Sequence, residues 1–327
     1  MRRNPTAGGL ANRGLSLSIF TAGELDEIHS ATLEVLEDTG LYIEDEEALD
    51  VFESGGCVVD RAERSVRIPP HVVEEAIATA PSTIRLAGRR PEDDIVLAGG
   101  RVGFTNFGEA ILVVDPESGE VREPTKADVG DIVRVIDALP EIDVCERPAG
   151  AHEVPQALAP LHNAEAMFTN TSKHLFIGPI SGYLLRQIMA MGDAVAGGRE
   201  VHRARPLVSF LTCPVSPLKL VQDTCEIIMG AAREGACVGV LSMAMAGGSS
   251  PVTLAGTLVT HNAEVLGGLT LAQLTRRGAP VIYASSTTAM DLRLAAASVG
   301  SPECALISAA VAQMARRYDL PSWVAGA

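Results

Sequence analysis

The chain has 327 residues, enough for one large domain or two ordinary ones. Hydrophobic residues make up 47% and charged residues 20%, which affords a large core and argues against a chain that is disordered as a whole. The 26 Lys and Arg against 41 Asp and Glu give a net charge of −15, which repels phosphate backbones and anionic headgroups, and an aromatic content of 4% is poor in base-stacking platforms, so binding to nucleic acid or a membrane is not expected.

Residues 1–19 read as a loose arm carrying Gly8, Gly9, Asn12 and Gly14. The apolar stretch 15–20 behind Arg2 and Arg3 is too short and polar for a signal sequence, and no run approaches the roughly 18 apolar residues of a membrane span. A cytoplasmic protein is expected. A helix starts at Thr21, which has capping-box spacing to Glu24. Leu25, Ile28, Thr32, Val35 and Leu36 share its inner face, and Gly40 stops it. Residues 44–52 predict a second helix. Between 57 and 121 the pattern turns to short β-rich runs at 57–59, 66–68, 83–86, 95–97, 101–105 and 110–114, with a hairpin turn at Asp115-Pro116-Glu117-Ser118-Gly119. Residues 20–122 are therefore expected to form an N-terminal α+β cap.

From Thr125 helices and strands alternate. Helices are predicted at 125–138, 158–170, 182–196, 218–233, 252–276 and 302–318. Strands are predicted at 142–145, 174–177, 207–211, 237–242 and 281–284, with a last one starting near Ser322. Short, apolar, β-branched strands suit a parallel sheet covered on both faces, and the alternation implies βαβ units. The expected fold class is α/β: a (β/α)8 TIM-type barrel over 123–327, incomplete at about six strands where about eight are needed. A doubly wound sheet is the competitor, weakened by the lack of Gly-x-Gly-x-x-Gly in the first βα turn. The missing units would lie beyond Ala327. The six cysteines lack Cys-x-x-Cys spacing and read as buried thiols. His152, His162, His174 and His261 show no zinc spacing, so no metal site is expected, although a ligand set gathered from scattered residues stays open.

Several segments resemble the trimethylamine methyltransferase family. They are Ser249-Ser250-Pro251-Val252-Thr253-Leu254-Ala255-Gly256-Thr257, Asn262-Ala263-Glu264-Val265-Leu266-Gly267-Gly268, Gly278-Ala279-Pro280-Val281-Ile282-Tyr283, Gly300-Ser301-Pro302-Glu303 and Leu320-Pro321-Ser322, in that order, joined by the opening helix and the Lys173-His174 pair. The resemblance runs from about residue 18 to the end. It implies a barrel enzyme that moves a methyl group from trimethylamine to the Co(I) of a corrinoid held by a small partner protein, with no cofactor bound directly. It also implies a homo-oligomer at full length. In one branch of the family pyrrolysine, encoded by an amber codon, follows a segment like Val324-Ala325-Gly326-Ala327. On that resemblance pyrrolysine is expected immediately after Ala327, and the chain alone is expected to be inactive. The alternatives are a pyrrolysine-free relative acting on a quaternary amine such as glycine betaine, and a non-catalytic fragment that binds a corrinoid protein.

A dialkylamide leaves badly, so such an enzyme must hold a quaternised amine in line with a strong nucleophile. Strand C-termini are where a barrel places such groups. Cys213 follows the third strand, Ser242, Met243 and Met245 the fourth, and Ser285, Ser286 and Thr287 the fifth. Small hydroxyls and thioethers suit a cavity for a greasy cation, and loop packing is the plainer account of each. Glu264, inside the long apolar helix, is a candidate catalytic carboxylate facing the cationic amine; its alternative is a solvated or structurally paired side chain. Glu109 and Glu146 are further carboxylates. Gly178-Pro179 and Gly247-Gly248-Ser249-Ser250 read as turns, the latter with amides that an anion site would use.

Overall fold

The computed structural model describes residues 17–325, so the arm expected at 1–19 falls almost wholly outside the described residues. The first helix, α1 (Ala22–Glu34), carries the expected capping box: Thr21 accepts from the Glu24 amide and the Glu24 carboxylate accepts from the Thr21 amide at 2.8 Å. It widens into a π turn at Val35–Thr39 and ends at Gly40, whose φ of 77° is left-handed. There follow β1 (Leu41–Ile43), α2 (Glu46–Ser54), β2 (Val58–Asp60), β3 (Ser65–Arg67) and α3 (Pro70–Thr79). The sequence pattern did not signal α3, because Pro69-Pro70 reads as a break. Pro70 instead opens the helix, where its missing N–H costs nothing, and Val72, Val73 and Ala76 are buried.

Next come two short antiparallel pairs, β4 (Ile84–Leu86) with β5 (Ile95–Leu97) and β6 (Val113–Val114) with β7 (Val121–Arg122). The latter is closed by the expected turn, in which the Asp115 carboxylate accepts from the Ser118 and Glu117 amides at 2.9 and 3.1 Å. Residues 101–105 form no regular strand. Thr105 makes one isolated bridge to Val144, and the Asn106 side chain takes over the pairing, accepting from the Glu146 amide at 3.0 Å and donating to its carbonyl at 2.9 Å. Then come α4 (Lys126–Ala138), β8 (Val144–Glu146), α5 (Ala159–Asn170), β9 (His174–Ile177), α6 (Gly182–Ala196), α7 (Arg199–Ala204) and β10 (Val208–Thr212). The remainder is β11 (Lys219–Leu220), α8 (Gln222–Glu234), β12 (Val238–Ser242), β13 (Met245–Ala246), α9 (Leu254–Thr275), β14 (Val281–Ser285), β15 (Thr288–Asp291), β16 (Ala296–Ala297), α10 (Pro302–Arg317) and β17 (Ser322–Val324).

The described residues divide into two compact units, 83–211 and 17–82 with 212–325. In the first, β8, β9 and β10 run parallel with register Val144↔His174 and Val208↔Leu175. His174 is fully buried there. Its Nδ1 lies 2.9 Å from the Ala87 carbonyl, which only accepts, so Nδ1 carries the proton and Nε2 accepts from Ser209 Oγ at 2.8 Å. Burial pushes its pKa down to about 4. Lys173 is buried too, and its ammonium closes the C-terminus of α4 by donating to the Ile136 and Leu139 carbonyls at 2.5 and 2.7 Å.

In the second unit β12, β14 and β17 are parallel, with Val238↔Val281 through Ser242↔Ser285 and Tyr283↔Ser322 in register. A second sheet, β11-β1-β3-β2, belongs to the same unit. Helix α9 is its axis, packed on α1, α3, α8 and β12, and every residue from His261 to Gln273 is buried. A helix buried on all sides is a core helix. Gly267 and Gly268 let it approach its neighbours closely. A Cβ at Gly268 would lie 2.8 Å from Val240 Cγ1 and 3.3 Å from Ile228 Cδ1. Gly268→Ala is therefore expected to lose about 1–2 kcal/mol net in urea unfolding, because overpacking outweighs the roughly 1 kcal/mol gained in helix propensity.

Candidate functional site

Glu264 lies in the middle of α9 with no solvent exposure. Its Oε2 accepts from Ser242 Oγ at 2.6 Å and from Ser216 Oγ at 2.9 Å, and its Oε1 accepts from the Leu218 amide at 3.0 Å. Three of the roughly four acceptor positions of a carboxylate are thus filled by protein donors. Burial is the largest influence and raises its pKa, opposed by the three hydrogen bonds. No cation pairs with it among the described residues. Leu218 has φ of 61°, the left-handed region that a leucine enters only at a cost. It is held from both sides, by Glu264 at its amide and by the Tyr42 amide at its carbonyl, 2.9 Å away.

One helical turn earlier, His261 Nδ1 lies 3.0 Å from Thr287 Oγ1. The Thr287 hydroxyl donates to the Ser242 carbonyl at 3.3 Å, so Nδ1 is the donor to Thr287 and Nε2 keeps a bare lone pair, buried and without a hydrogen bond. Burial pushes the His261 pKa down to about 3. The Ser286 amide also donates to the Ser242 carbonyl, at 2.9 Å, and the Thr287 amide donates to Ser285 Oγ at 3.1 Å. His261 and Glu264 therefore hold three segments between them, the ones that follow β10, β12 and β14.

The sequence-nominated side chains divide by exposure. Ser242, Ser285 and Thr287 are buried and spend their polar atoms on these internal bonds. Met243 is 50% exposed, and Cys213, Met245 and Ser286 are half-buried, so these four reach the surface at strand ends. The segment 247–250 is a tight turn. The amides of Gly248, Ser249 and Ser250 all donate to the Met245 carbonyl, at 2.9, 3.0 and 3.1 Å, which leaves none of the three pointing at an anion.

Sequence reasoning noted Ser216 close behind Cys213 but linked neither it nor Leu218 to Glu264, and it missed a polar chain beside that carboxylate. The Tyr283 hydroxyl donates to Asn262 Oδ1 at 2.7 Å, and Asn262 Nδ2 donates to Thr32 Oγ1 at 2.9 Å and to the Tyr318 hydroxyl at 2.8 Å. Tyr318 donates to His29 Nδ1 at 2.9 Å, and His29 Nε2 donates to Glu74 at 2.8 Å. The available signal was three strongly polar residues, His261, Asn262 and Glu264, close together in a helix rich in Leu, Ala, Val and Gly.

The remaining carboxylates lie in the 83–211 unit. Glu109 pairs with Arg147, which also reaches the Gly178 carbonyl at 3.4 Å, and Glu146 has its backbone clamped by Asn106. Among the described residues no three His, Cys, Asp or Glu side chains are grouped to hold a metal ion, and no helix is long and apolar enough to cross a membrane.

The family model described as trimethylamine methyltransferase matches residues 3–327. Trimethylamine methyltransferase MttB of Desulfitobacterium hafniense (strain DSM 10664 / DCB-2) is 50% identical over 326 residues, covering 100% of this chain and 66% of that protein. MttB of Methanosarcina barkeri (strain Fusaro / DSM 804) is 44% identical, covering 99% and 67%. A glycine betaine methyltransferase of Desulfitobacterium hafniense (strain Y51) is 32% identical, covering 93% and 63%. The chain spans about two thirds of the length of these relatives. The crystal structure of the Methanosarcina barkeri monomethylamine methyltransferase (MtmB) resembles the chain with a TM-score of 0.55 at 15% identity, over 91% of this chain and 65% of that one. That likeness is one of fold, and with six parallel strands in βα succession it makes the chain α/β of the TIM-barrel type.

Proposed function

Because the chain belongs to the trimethylamine methyltransferase family, we propose that the protein transfers a methyl group from trimethylamine to the Co(I) of a corrinoid carried by a small partner protein. The observation on the chain itself that supports this reading is the accessibility of Cys213, Met243, Met245 and Ser286, in the segments that follow β10, β12 and β14. None of the four is charged. A trimethylammonium group offers methyls in nearly every direction and at most one N–H, so it is better matched by thioethers and small hydroxyls than by a strong hydrogen-bonding cage. The corrinoid supplies the reduced cobalt nucleophile. The chain's residues would hold the protonated amine so that one methyl faces outward; the methyl would pass to the cobalt as the C–N bond breaks, its electron pair and the N–H proton staying on nitrogen, so that neutral dimethylamine leaves.

An apolar rim supports a docking role for the same end of the strands. Val252, Leu292 and Leu294 are 73%, 67% and 76% exposed. Exposed apolar groups of this kind mark interaction surfaces. Replacing Leu292 and Leu294 together by Asp is expected to raise KM for the corrinoid protein about tenfold with kcat for the amine little changed. The full-length protein is proposed to work as a homo-oligomer in the cytoplasm.

Pyrrolysine after Ala327 is part of the proposal, on the resemblance of residues 324–327 to that branch. Residues 326 and 327 lie outside the described residues. A TAG codon followed by an open frame supports it, and TAA or TGA with no continuing frame overturns it. The activity is tested by mixing the full-length protein with the reduced corrinoid protein and following the cobalt spectrum. Trimethylamine is expected to be the turnover substrate, and residues 1–327 alone are expected to give none. Turnover of glycine betaine but not trimethylamine would shift the assignment to the quaternary-amine relative, and no turnover with any methylated amine would overturn it.

A further inference from the structure

We infer that Glu264 is a positioning residue: it holds the segments after β10 and β12 in place through Ser216, Leu218 and Ser242, and does not touch the amine. The inference deepens the proposed function and rests on it for the meaning of the site, but its geometry stands by itself. A group that contacts substrate needs a free lone pair and an open side. Glu264 has no exposed surface, and three protein donors surround its carboxylate at 2.6–3.0 Å.

What the carboxylate secures is costly to hold otherwise. Leu218 sits at φ 61°, and its amide has Glu264 as its acceptor. Ser216 and Leu218 lie three to five residues beyond Cys213. Ser242 immediately precedes Met243. A shift of the first segment therefore moves Cys213, and a shift of the second moves Met243 and Met245 together. On the facing turn of α9, His261 fixes Thr287, which follows Ser286. The helix thus sets the relative placement of Cys213, Met243 and Ser286 without presenting a group of its own. This also gives a physical reason for an ionisable residue in a core helix without a cation partner. A carboxylate accepts from three donors on two segments, which no apolar side chain can do.

The test compares Glu264→Gln with Glu264→Ala in the full-length protein, with methyl transfer and amide hydrogen exchange as separate readouts. Glutamine keeps the oxygen that receives the Leu218 amide, and its NH2 can donate to the two serine hydroxyls. Positioning predicts that Glu264→Gln stays within about threefold of wild type in kcat/KM, whereas Glu264→Ala loses on the order of 30-fold, chiefly in KM, with exchange faster over 214–220 and 242–246. Ser216→Ala is the milder variant should Glu264→Ala fold poorly; it is expected to speed exchange in 214–220 with a KM rise of about threefold. The inference is overturned if Glu264→Gln is as inactive as Glu264→Ala while exchange in both segments stays at the wild-type rate, since the charge itself would then act on the substrate. Exchange is read without turnover. A wild-type protein lacking methyl-transfer activity would sink the proposed function, while faster exchange in the variants would still establish the tether.

Discussion

Lowering the pH from 7 to 4 is expected to remove about 3 kcal/mol of folding free energy through His261, and a similar amount through His174. Both imidazoles are buried, with folded pKa values pushed down by burial to about 3 and about 4, against an unperturbed value near 6.5. Above pH 6.5 both are neutral in the folded and unfolded chains and contribute no slope. Between about 6.5 and 4 the unfolded chain binds a proton at each and the folded chain does not, so stability rises with pH in that window and is lost as the pH falls. Glu264 works in the opposite sense. Its raised pKa means that the folded chain takes up its proton first, which favours folding on acidification. The histidine contribution is therefore best read as a difference. His261→Asn keeps a donor near the Nδ1 position for Thr287 and cannot titrate. Urea-derived stabilities of wild type and variant should run parallel above pH 6.5 and converge or cross by about 3 kcal/mol towards pH 4. Curves that stay parallel down to pH 4 would mean that His261 takes up its proton in the folded chain without strain.

The barrel series was legible because its signals are redundant. Each parallel strand is short and apolar, each helix has a buried stripe, and caps such as Thr125 and Ser301 mark the starts. The predicted helix at 252–276 forms as α9 over Leu254–Thr275, and that at 302–318 forms as α10 over Pro302–Arg317. The stretch from 57 to 121 was harder, since its segments are too short to carry a period. There α3 hid behind two prolines, and residues 101–105 kept strand-like composition while Asn106 supplied the pairing.

The sequence shows where the candidate side chains fall along the chain: Ser242 and Ser285 end β12 and β14, and Met243, Ser286 and Thr287 follow directly. What the sequence could not reveal is which hydroxyls point inward. Ser285, Ser286 and Thr287 are adjacent and chemically alike, yet only Ser286 is left accessible; the other two are buried in the hydrogen-bond network around Ser242 and His261. Likewise Ser216 and Leu218 looked like loop residues. Their importance arises only when the chain folds back across 46 to 48 residues to meet Glu264.

Asn262→Leu is expected to cost about 3–5 kcal/mol in equilibrium unfolding, more than the similar side-chain volumes suggest. The amide joins four elements: Tyr283 on β14, Thr32 on α1, and Tyr318 just beyond α10, all from one position on α9. The three partners do not suffer equally. Thr32 keeps a bond to the Ile28 carbonyl at 2.8 Å, and Tyr318 keeps His29. Tyr283 has no exposed surface, and its hydroxyl would lose the acceptor it uses. A buried donor left unmade is the larger penalty. It follows that Tyr283→Phe should cost less in the Asn262→Leu background than in wild type, because it removes the orphan that the first change created. A double-mutant cycle is expected to show about 1–2 kcal/mol of such coupling. Strict additivity would show that the tyrosine finds another partner and that Asn262 contributes only packing. The consequence reaches the site, since Asn262 fixes the rotation of α9 against α1 and β14. Two residues further along the same helix is Glu264, whose three hydrogen bonds tolerate little rotation before Leu218 loses its acceptor.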